Sequence, residues 1–317
     1  MAKTRRLFKS FYRLLLPVII LLILATTAAA VWLVYTVSNP PQANYLVTPE
    51  KYGQFSARAA RVTEENWGNH DGTTSRGWLL RGAENAPAVI LLHRYGADRS
   101  HVLDLGVKLN EATDFTVLMA DERGHGANPS VQNTSFGGCE TDDALSEIEF
   151  LRGLKSENQT ALVGKNIGLY GVEMGALATL SAAKDESVKA LVLDSVPENS
   201  DDVLVSAIDN RFPFASSITS KLGRLGTYFY FYNGCYRRNS ACDAAKSIQN
   251  RKVLLLASLD ALNLQSSTIK LNRCFPGNTK VEAKTDLNPS GYGITTASLE
   301  QAAAYNQKVI EFFKQNL

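Results

Sequence analysis

The stretch that decides the fold is Gly171-Val172-Glu173-Met174-Gly175. It directly follows the apolar run at residues 167–170, and residues 176–184 after it have the composition of a helix. A strand, a sharp turn and a helix in this order are the setting of the G-x-S-x-G nucleophile elbow. The two glycines permit the tight turn and the close approach of the helix. The central side chain, here Glu173, is then presented at the edge of the sheet.

The sequence around the elbow alternates short apolar runs with segments of helical periodicity. The apolar runs predict strands that are buried on both faces, as in a parallel sheet. They are residues 88–92, 116–120, 167–170, 190–193 and 253–257, with a last strand near 280–283. The helical segments are residues 142–154, 175–184 and 299–315. This alternation, with right-handed crossovers, predicts an α/β fold with a doubly wound, mostly parallel sheet.

Two further motifs follow the first two of these strands. They are His93-Arg94-Tyr95-Gly96-Ala97-Asp98-Arg99 and Asp121-Glu122-Arg123-Gly124-His125-Gly126. Together with the elbow, they resemble the ordered motifs H-G-x-G-A-x-R, D-x-R-G-H-G and G-x-S-x-G of the α/β-hydrolase superfamily. The resemblance is closest to its serine-peptidase-like and esterase-like members with an N-terminal membrane anchor. It covers about residues 60–317 and implies a sheet of the α/β-hydrolase type.

The resemblance implies a role for each matching position. Glu173 takes the place of the nucleophile, and the backbone N–H groups of Tyr95 and Met174 take the places of the oxyanion donors. Asp260, which follows the strand at 253–257, matches the acid of the triad. The remaining motif residues have structural roles: His93, Arg94, Asp121, Arg123, His125, Gly171 and Gly175. Arg94 replaces the usual glycine, and we expect it to crowd the oxyanion hole.

Two of the three triad positions have lost the expected residue. Glu173 replaces the serine, and residues 284–293, which follow the last predicted strand, contain no histidine. The histidines of the chain are His70, His93, His101 and His125. Acyl transfer on this fold needs a nucleophile, a base and a group that orients the base. A carboxylate is also stabilised near backbone N–H groups at a helix N-terminus, so we expect Glu173 to fill the oxyanion site.

These losses favour a catalytically inactive hydrolase-fold protein that binds a small-molecule or peptide ligand, or a partner, in the cleft. The alternative is an esterase-like or peptidase-like enzyme that uses Glu173 and Asp260 as a paired acid and base. Both carboxylates in one open pocket would favour the enzyme. An ion pair between Glu173 and Arg94 would favour the inactive protein. A third hypothesis is a structural domain whose cleft is filled by the aromatic residues of 226–238.

The N-terminal segment has the length and composition of a membrane anchor. Residues 14–37 carry no charge and are long enough to span a bilayer. Trp32 and Tyr35 lie near the far end, where amphipathic aromatic side chains favour the interface. The basic residues before this run are Lys3, Arg5, Arg6, Lys9 and Arg13. The positive-inside rule therefore predicts a cytoplasmic tail at 1–13, a single-pass signal anchor, and an extracytoplasmic domain. A cleaved signal peptide, with its cleavage site among the small residues 26–30, is the alternative.

Ser38-Asn39-Pro40-Pro41 ends the predicted anchor helix, because proline cannot continue it. Residues 38–60 are predicted to be a tether, and residues 61–317 the hydrolase-like domain. Residues 196–250 are longer than one crossover helix requires. They predict a cap or insertion over the ligand site, with an ordinary pair of helices as the alternative.

The cysteines and the charge balance limit the remaining possibilities. Cys139, Cys235, Cys242 and Cys274 are an even number in an exported domain, which favours disulfides over free thiols. Cys235 and Cys242 could close a small loop and leave Cys139 with Cys274, although the sequence alone leaves the pairing open. Without the five basic residues at the N-terminus, 28 Lys and Arg face 31 Asp and Glu, so nothing favours nucleic-acid binding. We expect no metal and no cofactor, since no motif for either is present.

Overall fold

The computed structural model describes residues 2–41, 44–52, 60–127 and 129–317, with side chains from Leu15 onward except that of Ala215. Residues 42–43 and 53–59 of the predicted tether, and Met1 of the predicted tail, lie outside the described residues.

An eight-stranded sheet forms the centre of the fold. Its strands are β1 (Val62–Gly68), β2 (Thr74–Leu80), β3 (Ala86–Leu92), β4 (Thr116–Ala120), β5 (Val163–Val172), β6 (Val188–Asp194), β7 (Lys252–Ser258) and β8 (Lys280–Leu287). The spatial order is β1-β2-β4-β3-β5-β6-β7-β8. The pairs from β4 to β8 are parallel, whereas β1 with β2 and β2 with β4 are antiparallel. The mostly parallel sheet is therefore confirmed, and every predicted strand is present.

The two antiparallel strands were not predicted, and for β1 the low burial explains why. β1 is an edge strand whose residues are mostly exposed or half-buried, so its sequence VTEENWG contains no continuous apolar run. Continuous runs identify only strands that are covered on both faces. β4 is such a strand, and all five of its residues are buried.

The described residues also form α-helices. They are α1 (Ala2–Ser38), α2 (Pro49–Tyr52), α3 (Leu103–Thr113), α4 (Cys139–Gly153), α5 (Met174–Ala182), α6 (Ser200–Arg211), α7 (Ser216–Tyr230), α8 (Ala241–Ala245), α9 (Leu262–Asn272) and α10 (Leu299–Asn316). The three predicted helices correspond to α4, α5 and α10. A capping box between Ser298 and Gln301 starts α10, which buries Tyr305, Val309 and Phe313. The missing side chain of Gly168 in β5 leaves room for the ring of Phe313.

The chain divides into two compact units. One comprises α1 up to Val37 together with Leu204–Gly234, and the other comprises Ser38–Val203 and Cys235–Leu317. The stretch Leu15–Ser38 has 24 residues and a mean hydropathy of 2.5 over a window of 18, and it is long and apolar enough to cross a membrane. The helix continues without interruption from Ala2, so the basic residues predicted as a tail belong to the same helix.

Part of the predicted tether packs on the second unit. The Tyr45 hydroxyl donates a hydrogen bond to Asp121 Oδ2 at 2.7 Å, and the Leu46 N–H donates to Ser100 Oγ at 3.0 Å. The Tyr52 hydroxyl bonds to Asp104. These contacts attach residues 44–52 to the sheet domain, although the boundary at residue 61 stays a prediction.

The disulfides differ from the pairing suggested by sequence proximity. Cys139 pairs with Cys235 and Cys242 pairs with Cys274, with Cα–Cα distances of 5.1 Å and 5.2 Å. The suggested pairs Cys235–Cys242 and Cys139–Cys274 are therefore wrong. The reason is tertiary: the backbone of Cys235 lies directly against Gly138, where α4 begins, and α8, which carries Cys242, packs against α9.

Non-reducing peptide mapping should recover Cys139 linked to Cys235 and Cys242 linked to Cys274. The two bridges close loops of 96 and 32 residues. Each lowers the conformational entropy of the unfolded chain, which stabilises the folded protein by about 5 and about 4 kcal/mol respectively. Replacing Cys139 and Cys235 together with alanine should therefore lower the melting temperature at least as much as replacing Cys242 and Cys274. Recovery of a Cys235–Cys242 peptide would contradict the packing described above.

Candidate functional site

Glu173 occupies a sharp turn between β5 and α5. Its backbone has φ +50° and ψ −106°, a conformation that a residue with a side chain rarely adopts. The turn is held from both sides, because the Glu173 N–H donates to the Asp194 carbonyl at 2.9 Å and the Ala176 N–H donates to the Glu173 carbonyl at 3.0 Å. The elbow therefore has the strained geometry of a nucleophile position without the nucleophile.

The two glycines of the elbow are required by close backbone contacts. A Cβ on Gly171 would overlap the carbonyl group of Gly175. A Cβ on Gly175 would lie 2.6 Å from the His93 carbonyl oxygen, closer than real Cβ atoms approach. The start of α5 thus packs directly on the end of β3, which brings the loop after β3 beside Glu173.

The side chain of Glu173 is 4% exposed and points toward that loop. The Tyr95 N–H donates a hydrogen bond to Glu173 Oε2 at 3.0 Å, and the adjacent Met174 N–H also stabilises the charged form of the carboxyl group. Burial raises the pKa of Glu173 to about 7, against the opposing effects of the Arg94 charge and these two N–H groups. Both backbone groups that correspond to the oxyanion donors are therefore directed at the carboxyl group of Glu173.

Arg94 lies near Glu173 and makes other contacts. Its guanidinium carbon is 5.1 Å from the centre of the Tyr292 ring, and its Nη1 donates to the Tyr95 carbonyl at 3.1 Å. In the part of the chain that the structure describes, no ion pair joins Arg94 to Glu173. The Arg94 charge acts on Glu173 by lowering its pKa.

Asp260 follows β7, and its carboxylate lies against the loop after β8. A Cβ on Gly293 of that loop would lie 2.7 Å from Asp260 Oδ2. The neighbouring residue, Tyr292, is half-buried. Burial raises its pKa, as do the charges of Glu173 and Asp260, while Arg94 lowers it. Both carboxylates thus raise the pKa of Tyr292, which lies in the loop where the superfamily carries its histidine. Sequence reasoning noted the missing histidine there and missed the tyrosine.

A second polar cluster, absent from the sequence analysis, fixes this loop to the sheet. Asp194 at the end of β6 accepts hydrogen bonds from the Tyr305 hydroxyl at 2.6 Å, the Gly291 N–H at 2.8 Å and the Ser195 hydroxyl at 2.7 Å. Ser195 also contacts Ser290 at 3.1 Å. Burial raises the pKa of Asp194, which these hydrogen bonds oppose. A carboxylate that directly follows an apolar strand, as Asp194 does, was the available sequence signal.

Comparison with solved structures agrees with this geometry. Esterase Pf2001 from Pyrococcus furiosus superimposes with a TM-score of 0.62 over 88% of this chain and 99% of its own, at 19% sequence identity. The chain has the α/β-hydrolase fold. The resemblance indicated by the three motifs is thereby confirmed at the level of the fold.

The sequence relatives align with only part of this chain. The chain is 27% identical to "Thiohydrolase aneE" of Aspergillus aculeatus over 124 residues, or 38% of this chain and 37% of that protein. It is 29% identical to "Polyketide transferase grgF" of a Penicillium species over 151 residues, or 44% and 49%. The chain thus matches between about a third and a half of the length of these relatives. No protein-family model matches it.

Two histidines of the hydrolase motifs hold loops together. His93 Nε2 accepts from the Glu122 N–H at 3.1 Å, and its Nδ1 faces the Arg94 carbonyl at 2.8 Å. His125 Nε2 accepts from the Gly96 N–H at 3.0 Å, with Nδ1 facing the Arg123 carbonyl at 2.7 Å. Burial lowers the pKa of both, that of His93 to about 3. Each ring therefore stays neutral, with Nδ1–H as its donor.

The two remaining histidines are engaged elsewhere in the hydrolase fold. His70 pairs with Glu149 at 3.0 Å on the surface. His101 accepts from the Asp98 N–H in a capping box and lies 3.5 Å from the Asp98 carboxylate. Neither residue belongs to the loop after β8, which in this superfamily would carry the catalytic base.

Asp121 and Arg123 of the second motif also serve the packing of the hydrolase fold. Asp121 accepts the Arg99 N–H at 3.0 Å and lies 3.3 Å from the Arg99 Nε, whose guanidinium group stacks on Trp78 at 4.4 Å. Arg123 pairs with Asp143 on α4 and, at 2.7 Å, with Asp71. Burial raises the pKa of Asp143 to about 6, while Arg123 opposes the rise.

The Glu173→Gln variant should become more stable, compared with the wild type, as the pH rises. The pKa of Glu173 is about 7 in the folded protein and 4.5 without the fold, so the folded state binds more protons between these values. The contribution of Glu173 to the free energy of unfolding of the wild type therefore falls by about 3 kcal/mol as the pH rises from about 4.5 to 7. Melting temperatures of both proteins at pH 5 and pH 8 measure the difference. The exposed Glu157→Gln variant is the control, and a constant gap between wild type and Glu173→Gln would contradict the burial argument.

Proposed function

We propose that this protein is an extracytoplasmic, membrane-anchored α/β-hydrolase-fold protein that binds a ligand or partner and is catalytically inactive. One observation carries the proposal: a carboxyl oxygen of Glu173 accepts the Tyr95 N–H at 3.0 Å. An acyl-transfer enzyme needs that donor for the oxyanion of its substrate. A carboxyl oxygen can accept this N–H whether Glu173 is ionised or protonated. Glu173 therefore fills the oxyanion hole both below and above its pKa.

The lack of a base supports the same proposal. An ester formed on Glu173 would have to be hydrolysed by an activated water molecule, which needs a general base. Tyr292 lies in the loop where that base is expected, and its raised pKa makes it a weak acid and keeps it neutral. Asp194 and Tyr305 fix the loop, so the arrangement is held in place.

The proposed ligand site is the depression between Arg94 and the loop after β8. It is shallow, with a free volume of about 20 Å³, so a ligand larger than a water molecule has to lie over its opening. Its lining combines the cationic Arg94 with the apolar side chains of Val102, Val172 and Ile294. This combination suits a small apolar molecule with one anionic group. Wild-type protein should gain thermal stability with octanoate, and the Arg94→Gln variant should lose that gain. An equal shift in both proteins would contradict the proposed site.

The membrane part of the proposal rests on the apolar helix Leu15–Ser38 and the basic residues before it. A helix of 24 uncharged, mostly apolar residues exceeds the bilayer core, and the charge bias orients its N-terminus to the cytoplasm. The disulfides of the second unit are consistent with an oxidising compartment outside the cytoplasm.

A hydrolase of altered mechanism is the second candidate, and one observation favours it. A carboxyl group with a pKa of about 7 is well suited to general acid–base catalysis at neutral pH. Its predicted partner Asp260 is exposed, however, whereas Glu173 is buried. The pair of carboxylates in one open pocket that would favour this enzyme is therefore not formed.

Hydrolysis by the full chain in detergent micelles separates the two candidates. Wild type, Glu173→Gln and Glu173→Ala should all hydrolyse p-nitrophenyl butyrate and butyrylthiocholine only at the rate of buffer. A fluorophosphonate probe, which labels activated serines, should leave the wild type unlabelled. Glu173→Gln is the matched variant because it keeps the size of the side chain and an acceptor oxygen.

Turnover by the wild type that disappears in Glu173→Gln would establish the altered mechanism and overturn the inactive protein. Turnover that persists in both variants, or serine labelling by the probe, would contradict both candidates.

A further inference from the structure

The helix α7 of the first unit has an arrangement of side chains opposite to that of a helix in a soluble domain. Its buried residues are small or polar, namely Gly223, Gly226 and Thr227. Its apolar and aromatic side chains are instead exposed. Ile218 is 67% exposed, Phe229 49% and, just after the helix, Tyr232 78%.

The small residues of α7 face other elements of the same unit. A Cβ on Gly226 would overlap the carbonyl group of Ala30 in α1, and one on Gly223 would overlap the side chain of Ile208 in α6. The ring of Phe212, which follows α6, lies 5.9 Å from that of Trp32 in α1. Small side chains permit this close helix approach, as they do between helices in membranes.

The contact lies near the outer end of the apolar stretch of α1. Ala30 is 15 residues beyond Leu15, a distance of about 22 Å along the helix. The hydrocarbon core is about 30 Å thick, so Ala30 falls within its outer leaflet when Leu15 lies at the inner boundary. The exposure of α1 follows this division, since Leu21 is 69% exposed, whereas Ala30 and Val34 are fully buried.

We propose that the segment Leu204–Gly234 lies in the outer interface of the lipid bilayer and inserts one face into it. That face, here called the lipid patch, consists of Phe214, Ile218, Leu225, Phe229 and Tyr232. The proposal rests on the proposed membrane anchoring of α1. The direct packing of α7 on the anchor identifies a lipid surface, and not a soluble partner, as the occupant of the patch.

The composition of the segment suits the interface better than the bilayer centre. Aromatic side chains favour the level of the headgroups, where Tyr232 can keep its hydroxyl in water. The exposed Lys221 can extend its charged end toward the same level. Charges at the centre of the bilayer would be costly, so the segment does not span it.

Photo-crosslinking to lipid tests the proposal with the full chain in phosphatidylcholine nanodiscs. p-Benzoylphenylalanine replaces Phe214, Phe229 or Tyr232, one position at a time. Each protein should gain the mass of one phospholipid on irradiation. The non-reducing map of the two disulfides shows that each variant is folded.

Two further positions keep the outcomes distinct. Leu21, 69% exposed on α1, should also form the lipid adduct and reports on the anchor itself. Leu299, 91% exposed on the second unit, is the matched control for an exposed apolar side chain and should form none.

An adduct at Leu21 with none at the lipid patch would overturn this proposal and leave the anchor intact. No adduct at Leu21 would overturn the membrane anchoring, and the proposal with it. A crosslink from the patch to a second copy of the chain, in place of lipid, would show a protein interface and would also overturn it.

Discussion

The hydrogen bond from the Tyr95 N–H to the Glu173 carboxyl group is the contact on which the interpretation of this molecule depends. It exists because three parts of the fold meet there: the elbow after β5, the N-terminus of α5 and the loop after β3. Gly171 and Gly175 permit that meeting, since a side chain at either position would collide with neighbouring backbone. The same geometry that would stabilise an oxyanion in an enzyme stabilises a carboxyl group that belongs to the protein itself. Burial makes the carboxylate costly, which is why the pKa of Glu173 rises to about 7 even though two N–H groups and Arg94 lower it.

Hydrogen bonds also hold the opposite side of the site, the loop after β8. Asp194 binds the loop after β8 through Gly291 and binds α10 through Tyr305, so the loop is attached to the centre of the sheet. In the superfamily that loop would carry the base. Here it presents Tyr292 beneath Arg94 and close to Asp260. The scaffold of a hydrolase is thus maintained in detail while the groups that would act on a substrate differ. A shared fold with altered groups does not by itself imply the activity of the relatives.

The first unit follows a different physical rule. In the sheet domain, apolar side chains are buried and the surface is mixed, as expected in water. In α7, glycine and threonine are buried and Phe229 is exposed, although Leu204 and Ile208 of the neighbouring α6 are buried as in a soluble domain. Of the aromatic residues of 226–238 that were expected to fill a cleft, Phe229 and Tyr232 are exposed, whereas Tyr236 is buried with its ring centre 6.3 Å from that of Phe136. Whether residues 196–250 cover the ligand site stays a prediction.

The sequence by itself determined the fold class, the parallel strands β3 to β8 and the missing serine and histidine, because these depend on local runs and on motif spacing. The apolar run before Gly171 and the glycines of the elbow are signals of this kind. Only the tertiary structure decided the disulfide pairing, the antiparallel strands β1 and β2, the cluster around Asp194 and the position of Tyr292. Each of these depends on contacts between residues far apart in the chain: Cys139 meets Cys235 across 96 residues, and Asp194 meets Tyr305 across 111. Local sequence patterns report how a segment folds and which faces it buries, whereas the partner of a buried polar group is set by the packing of the whole domain.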